Sequence, residues 1–236
     1  MSPQFIESTH MAHFQDDSVV LEPDRAADAC VIWLHGLGAD GNDFVPVVPM
    51  LGLPAGHGVR FLFPHAPVRP VTLNMGMAMR AWYDIKSLTA EGREDAEGIA
   101  ASTRRVDELI AQQREAGIEP GRIVIAGFSQ GGAVALHTAL RYPMRLAGLL
   151  ALSTYLPLRD RLTSEAHAAN RDLPILMMHG SFDPVVSPEF GAASRDFLTE
   201  AGYAVDWRTY PMEHQVCPEQ IAAIGAWLTE RLPQTV

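Results

Sequence analysis

Short apolar runs recur along the chain, separated by longer stretches in which apolar residues return at helical spacing. The runs are "ACVIWLH" (29–35), "VRFLFP" (59–64), "RIVIAGF" (122–128), "LAGLLALS" (146–153), "LPILMMH" (173–179) and "AVDWRTY" (204–210). Most are continuously apolar rather than alternating, the pattern of strands covered on both faces, and they predict a mostly parallel sheet. "SVVLEP" (18–23) predicts a weaker edge strand. Ile99, Thr103, Val106 and Ile110 recur at i, i+4, i+7 and i+11, which predicts a helix over 93–116 stopped by Gly117. Further helices are expected over 130–142, 188–201 and 218–231, the last with Pro218 in its first turn and Ile221, Ile224 and Leu228 on one side. Strands alternating with helices in this way build an α/β sandwich.

No repeat, low-complexity tract or long linker divides the chain, so residues 1–236 are expected to form a single domain with an N-terminal tail over about 1–17. Only about twenty residues separate the strand ending near Ser153 from the one beginning near Leu173, room for one short helix but not for a cap domain. By contrast, segment 65–92, "HAPVRPVTLNMGMAMRAWYDIKSLTAEG", is long and without clear period, and is the expected lid over a binding site.

Composition narrows the function classes. At 47% hydrophobic and 19% charged residues, the chain can bury a real core, which excludes disordered and collagen-like readings. The net charge is −10 and the basic residues are scattered, which argues against nucleic acid and anionic membrane surfaces as partners. Cys30 and Cys217 are too few for a disulfide framework and fit a reducing compartment. The first residues lack the basic and apolar regions of a secretory signal, and no apolar run approaches the roughly 18 residues of a membrane span. The expectation is a cytoplasmic protein without stable membrane insertion, either a monomer or a homodimer.

The run 122–128 leads into Gly127-Phe128-Ser129-Gln130-Gly131, a G-x-S-x-G pattern. Such a pentapeptide arises by chance in roughly one chain in ten of this length. A buried strand before it and a helix after it are what give it weight. At a sharp strand-to-helix turn the serine backbone is strained, and neighbours two residues away must lack side chains so that strand and helix can approach. The serine hydroxyl then stands at the C-terminal edge of the sheet, beside the backbone N–H of Gln130 and the helix N-terminus. A phosphate-binding glycine turn is the alternative use of such a segment.

A serine hydroxyl needs a base. Of the histidines that follow Ser129, His137 lies eight residues on inside the next helix and cannot turn back, His167 falls in an expected surface helix, and His179 ends a strand. His214, in "YPMEHQVCPEQ", lies in a loop just after the strand 204–210 and is the best-placed base. Asp183, in the turn "HGSFDPVV" after the strand 173–179, is the matching acid; a structural Asp-Pro turn is its alternative role. "VIWLHGLGADG" (31–41) supplies a glycine-rich loop after an early strand, and the Leu37 N–H is expected to join that of Gln130 as an oxyanion donor. His35, His65 and His179 are too separated to form a local metal motif, so no metal and no cofactor are expected.

With these residues in place, the chain resembles the α/β-hydrolase carboxylesterase family that includes acyl-protein thioesterases and lysophospholipases. The resemblance runs from "VIWLHGLGADG" through "FLFPHAPVRPVTLNMGMAMRAWYDI" and "GFSQGGAVAL" to "HGSFDPVV" and "YPMEHQV". It implies a triad of Ser129, Asp183 and His214 with Leu37 and Gln130 as oxyanion donors, the same residues that position and chemistry select. It also implies that 71–85 lies beside the acyl pocket, which makes Met75, Met77 and Trp82 candidate substrate contacts; core packing is their alternative role. The expected activity is hydrolysis of a small-molecule carboxylic ester with a short to medium acyl chain through an acyl-serine intermediate. A specialised thioesterase, lysophospholipase or lactonase is the nearest alternative, and a noncatalytic α/β-hydrolase-like binding protein the more distant one.

Overall fold

A computed structural model describes residues 12–15, 17–86 and 94–234. Every expected strand forms. In chain order they are β1 (Ala12–Gln15), β2 (Ser18–Leu21), β3 (Ala29–Leu34), β4 (Val59–Pro64), β5 (Val68–Pro70), β6 (Ala78–Arg80), β7 (Ile123–Phe128), β8 (Gly148–Leu152), β9 (Ile175–Gly180) and β10 (Val205–Tyr210). Eight of them make one sheet in the order β1-β2-β4-β3-β7-β8-β9-β10. Pairing is parallel from β4 to β10, while β1 and β2 join antiparallel at one edge. Residues 12–15, expected to belong to a tail, thus extend the sheet.

The helices are α1 (Ala96–Glu115), α2 (Gln130–Arg141), α3 (Arg159–Glu165), α4 (Pro188–Glu200) and α5 (Pro218–Arg231). The start of α1 is fixed by Asp95, whose carboxylate accepts the Gly98 N–H. Arg93, at which the periodicity would begin it, lies outside the described residues, as do positions 87–92 of the expected lid. Its end is closed by the Ile118 N–H returning to the Gln113 carbonyl. His167 is not in a helix; it precedes a short 3-10 turn and accepts the Ala169 N–H on Nδ1.

Strand periodicity divides the core in two. On β3, Cys30, Ile32 and Leu34 face the layer that holds Ile99, Val106 and Ile110 of α1 with Val134 and Leu136 of α2. Ala29, Val31 and Trp33 face the other layer, where α5 contributes Ile221, Ile224 and Leu228 and a 3-10 segment (Val45–Leu51) contributes Val47, Val48 and Leu51. Burial on both faces accounts for the unbroken apolar runs. Among the described residues no separate cap covers the sheet; only α3 lies between β8 and β9 in the chain apart from a short 3-10 turn. Within the expected lid, β5 and β6 form a two-stranded hairpin.

Candidate active site

The turn after β7 is built by hydrogen bonds that over-determine it. Ser129 has φ 54 and ψ −119, a conformation that costs a non-glycine residue on the order of 1–3 kcal/mol. Its N–H donates to the Leu152 carbonyl at 2.9 Å, and its own carbonyl accepts from Thr154 Oγ1 at 2.7 Å and from the Ala133 N–H at 3.1 Å. The flanking glycines are sterically required. A Cβ at Gly127 would stand 2.3 Å from the Gly131 carbonyl oxygen, and one at Gly131 would stand 2.5 Å from the carbonyl oxygens of Leu34 and His35. Ser129 is 9% exposed, at the mouth of the turn rather than sealed beneath it.

Asp183 and His214 come together from the ends of β9 and β10. The Ser181 N–H donates to the Tyr210 carbonyl and the Phe182 N–H to the Met212 carbonyl, which lays one loop along the other. His214 Nδ1 then reaches Asp183 Oδ2 at 2.7 Å, and Oδ1 accepts the N–H groups of Val185 and Val186, both at 2.9 Å. With its side chain fully buried and its oxygens spoken for, Asp183 holds the imidazole in one orientation. The His214 ring lies against Phe128, the residue before Ser129, with centroids 4.7 Å apart. Among the described residues the Ser129 hydroxyl makes no hydrogen bond.

The glycine-rich loop after β3 passes beside the serine: a Cβ at Gly36 would come within 3.5 Å of Ser129 Cβ. The Leu37 N–H has no acceptor among the described residues, and the Gln130 N–H, first in α2, has no intrahelical one. The Gln130 N–H directly follows Ser129 in the chain, and Leu37 directly follows Gly36. His35 fixes this loop from below. Its Nε2 accepts the Ala66 N–H at 3.0 Å, so Nδ1 carries the proton and donates to the Gly36 carbonyl at 2.7 Å. Burial pushes the His35 imidazole down to about 4, which keeps it in that neutral tautomer.

The substrate-contact candidates separate sharply. Met75 and Met77 lie on the exposed tip of the β5–β6 hairpin, 86% and 53% accessible. Trp82 borders a hollow of about 290 Å³ shared with Arg69, Ser102 and Arg105. It is buried, its indole N–H donates to the His35 carbonyl at 2.9 Å, and its ring lies against the His35 ring. An indole with a buried carbonyl partner is packed structure, and Trp82 is reassigned to that role. Met79, on β6, is the methionine nearest the glycine loop, with its sulfur 3.7 Å from where a Gly38 Cβ would stand. The base of the hairpin is tied to that loop by the Gly38 N–H donating to the Arg80 carbonyl.

A cleft of about 410 Å³ opens beside His214, lined also by Asp43, Phe44, Val47, Phe128, Gln215 and Val216. A hollow of about 520 Å³ between β10 and α5 holds the Asp206–Arg208 ion pair and no nucleophile with a base. Cys30 is no rival nucleophile, because burial pushes its thiol up to about 12. Among the described residues no group of three or more His, Cys, Asp or Glu side chains is gathered to hold a metal ion.

Comparison with known proteins agrees with this architecture. Residues 15–231 match the model of the phospholipase/carboxylesterase family. Acyl-protein thioesterase 1 of Cryptococcus neoformans is 38% identical over 231 residues, covering 90% of this chain and 96% of that protein. Acyl-protein thioesterase 1 of Neurospora crassa is 41% identical over 215 residues, covering 87% and 88%. Among solved structures, Arabidopsis thaliana SOBER1 superposes with a TM-score of 0.82 at 32% identity, over 86% of this chain and 99% of that one. Zea mays acyl-protein thioesterase 2 superposes with a TM-score of 0.81 at 31% identity, over 91% and 98%. The chain belongs to the phospholipase/carboxylesterase family of α/β-hydrolases and is an ester-cleaving serine hydrolase.

Proposed function

We propose that Ser129 is the nucleophile, His214 its base, and Asp183 the acid that orients and balances the imidazole. Ser129 attacks the acyl carbonyl while His214 takes its proton, and the N–H groups of Leu37 and Gln130 receive the negative charge that develops on oxygen. His214 then returns the proton to the departing alcohol or thiol. Water repeats the sequence on the acyl-serine, so the cycle needs no cofactor. The observation that carries this reading is the 2.7 Å Asp183–His214 bond lying next to a serine held at φ 54.

The substrate class follows from the surroundings. The cleft beside Phe128 and the methionine-bearing hairpin suit a short to medium acyl chain on a small ester. The relatives named acyl-protein thioesterase favour thioesters as a second class. Cys30 and Cys217 are both free thiols, which fits work in a reducing cytoplasm; no described helix is long and apolar enough to cross a membrane. A monomer or homodimer suffices, since one chain carries every residue of the proposed mechanism.

Labelling with a fluorophosphonate probe tests the mechanism: wild-type protein is expected to label and Ser129→Ala not to. Hydrolysis of p-nitrophenyl esters graded in chain length, set beside an acylated-cysteine peptide and a lysophospholipid, tests the substrate class. A wild-type protein that neither labels nor turns over any of them would sink the reading.

A further inference from the structure

Two imidazoles approach the Asp183 carboxylate. His214 Nδ1 is 2.7 Å from Oδ2, and His179 Nε2 is 3.5 Å from the same oxygen. His179 stands on β9, 1% exposed, with Nε2 also 2.8 Å from the Val186 carbonyl oxygen. A carbonyl can only accept, so Nε2 carries the ring proton and donates it to Val186, with the carboxylate oxygen 3.5 Å away. The ring has no freedom to turn away. Helix α4 crosses so close that a Cβ at Gly191 would stand 2.5 Å from Nδ1, and Trp207 of β10 packs against the other side at 5.9 Å between centroids.

We propose that His179 is a positioning residue: its Nε2–H holds the Val186 carbonyl, Val186 in turn donates its N–H to Asp183 Oδ1, and this chain of two bonds keeps Oδ2 aimed at His214. This rests on the Ser129, Asp183 and His214 roles given above. Asp183 has three stronger donors of its own, the N–H groups of Val185 and Val186 on one oxygen and His214 on the other. Those donors set where the carboxylate sits along the turn. His179 braces that turn from β9, through the Val186 carbonyl, with its ring 3.5 Å from Oδ2.

The charge state suits the task. Burial holds the His179 imidazole below the ordinary histidine range, outweighing the Val186 carbonyl and the Asp183 carboxylate, which favour protonation. The charged or titratable groups acting on it are Asp183, His214 and Glu189, with the Arg195 guanidinium beyond, over the Trp207 ring. A neutral ring beside Asp183 leaves the charge of the carboxylate to His214; a second imidazolium there would oppose the one that forms on His214 during attack.

The test compares His179→Phe, which fills the site without a donor, with His179→Gln, which can restore one. Rates are taken per fluorophosphonate-titrated Ser129, so unfolded protein does not count. His179→Phe is expected to lose roughly tenfold in kcat with KM within about twofold, and the acid limb of kcat/KM moves to lower pH, because a carboxylate less well aimed at His214 stabilises its imidazolium less. His179→Gln is expected to recover most of the rate. Nitrogen NMR of wild-type protein at neutral pH should find His179 protonated on Nε2 alone, a measurement that stands even if a variant does not fold. Unchanged kcat and acid limb in His179→Phe, or a doubly protonated His179 in the wild type, would overturn this role while leaving Ser129 labelling intact. Failure of wild-type Ser129 to label would overturn the functional reading, and this role with it.

Discussion

The backbone N–H of Trp82 donates to Gln130 Oε1 at 2.9 Å, and Gln130 Nε2 donates in turn to the Tyr83 carbonyl at 2.7 Å. The side chain of the first residue of α2, directly after Ser129, therefore pins the segment that follows the hairpin. All three residues are buried, so neither bond is exchanged for water.

Gln130→Ala keeps the backbone N–H but strands the Trp82 donor and the Tyr83 acceptor. Urea unfolding should show a loss of about 2–4 kcal/mol, since each buried unpaired group costs about 1–3 kcal/mol. Ester turnover should fall about tenfold, because the glycine loop bonded to Trp82 through the His35 carbonyl loses its brace. Unaltered stability would mean that the two bonds are dispensable.

Ser129→Gly separates chemistry from strain. Glycine reaches φ 54 without penalty, so the variant should unfold about 1 kcal/mol later than the wild type even after the extra entropy of its unfolded chain. Its turnover, like that of Ser129→Ala, should drop by at least ~10⁴-fold. Denaturation midpoints beside hydrolysis rates check both halves.

Asp183→Asn leaves an oxygen for the Val185 and Val186 N–H groups but can offer its NH₂ to His214, turning the imidazole to the wrong tautomer. A fall of about 10³–10⁴-fold in kcat, with Ser129 still present, is expected. Steady-state kinetics at the pH optimum measure it.

Acid should weaken the fold through two buried histidines. Burial lowers both His35 and His137 to about 4, against about 6.5 in an unfolded chain. Between those values the unfolded state binds the more protons, so stability is full above about pH 6.5, declines as pH falls, and reaches its floor near pH 4. Each histidine accounts for about 2–3 kcal/mol of that decline. Asp107, raised to about 6 by burial, acts in the opposite sense over part of the window. Urea unfolding across this range should show a shallower acid slope in His137→Gln, whose ring otherwise meets Thr103 Oγ1 at 3.0 Å.

Met75 sits at φ 55 with its side chain 86% exposed, an awkward conformation for a residue that packs against nothing. Met75→Asn should hold or slightly raise the unfolding midpoint, since asparagine tolerates the left-handed region. If the hairpin tip touches the acyl chain, the same variant loses kcat/KM severalfold on the longer esters and little on acetate esters. Equal loss on all esters would place the tip outside the acyl path.

The central strands were legible because two-sided burial writes itself as an uninterrupted apolar run, as in Ile123–Phe128 and Ile175–Gly180. The positions of Ser129, Asp183 and His214 at strand ends could be read from the same runs. Other parts carry no such mark. Strands β5 and β6 are three residues each, half-exposed and paired only with each other, so no periodicity announces them. The Val45–Leu51 segment covers a sheet face, but its prolines hide the helical spacing. Trp82 in an irregular stretch reads the same whether it faces solvent or the His35 carbonyl. His179 gains its position only when the chain doubles back from Asp183 to Val186, which no spacing reveals.

The placement of the three residues along the chain has a kinetic meaning. Ser129 is held once β7, β8 and α2 have met, whereas Asp183 and His214 arrive only with β9 and β10. A chain arrested or clipped before β9 lacks both Asp183 and His214, and under the proposed mechanism it is chemically silent. During refolding, the onset of hydrolysis will therefore time the docking of the last strand rather than the collapse of the core.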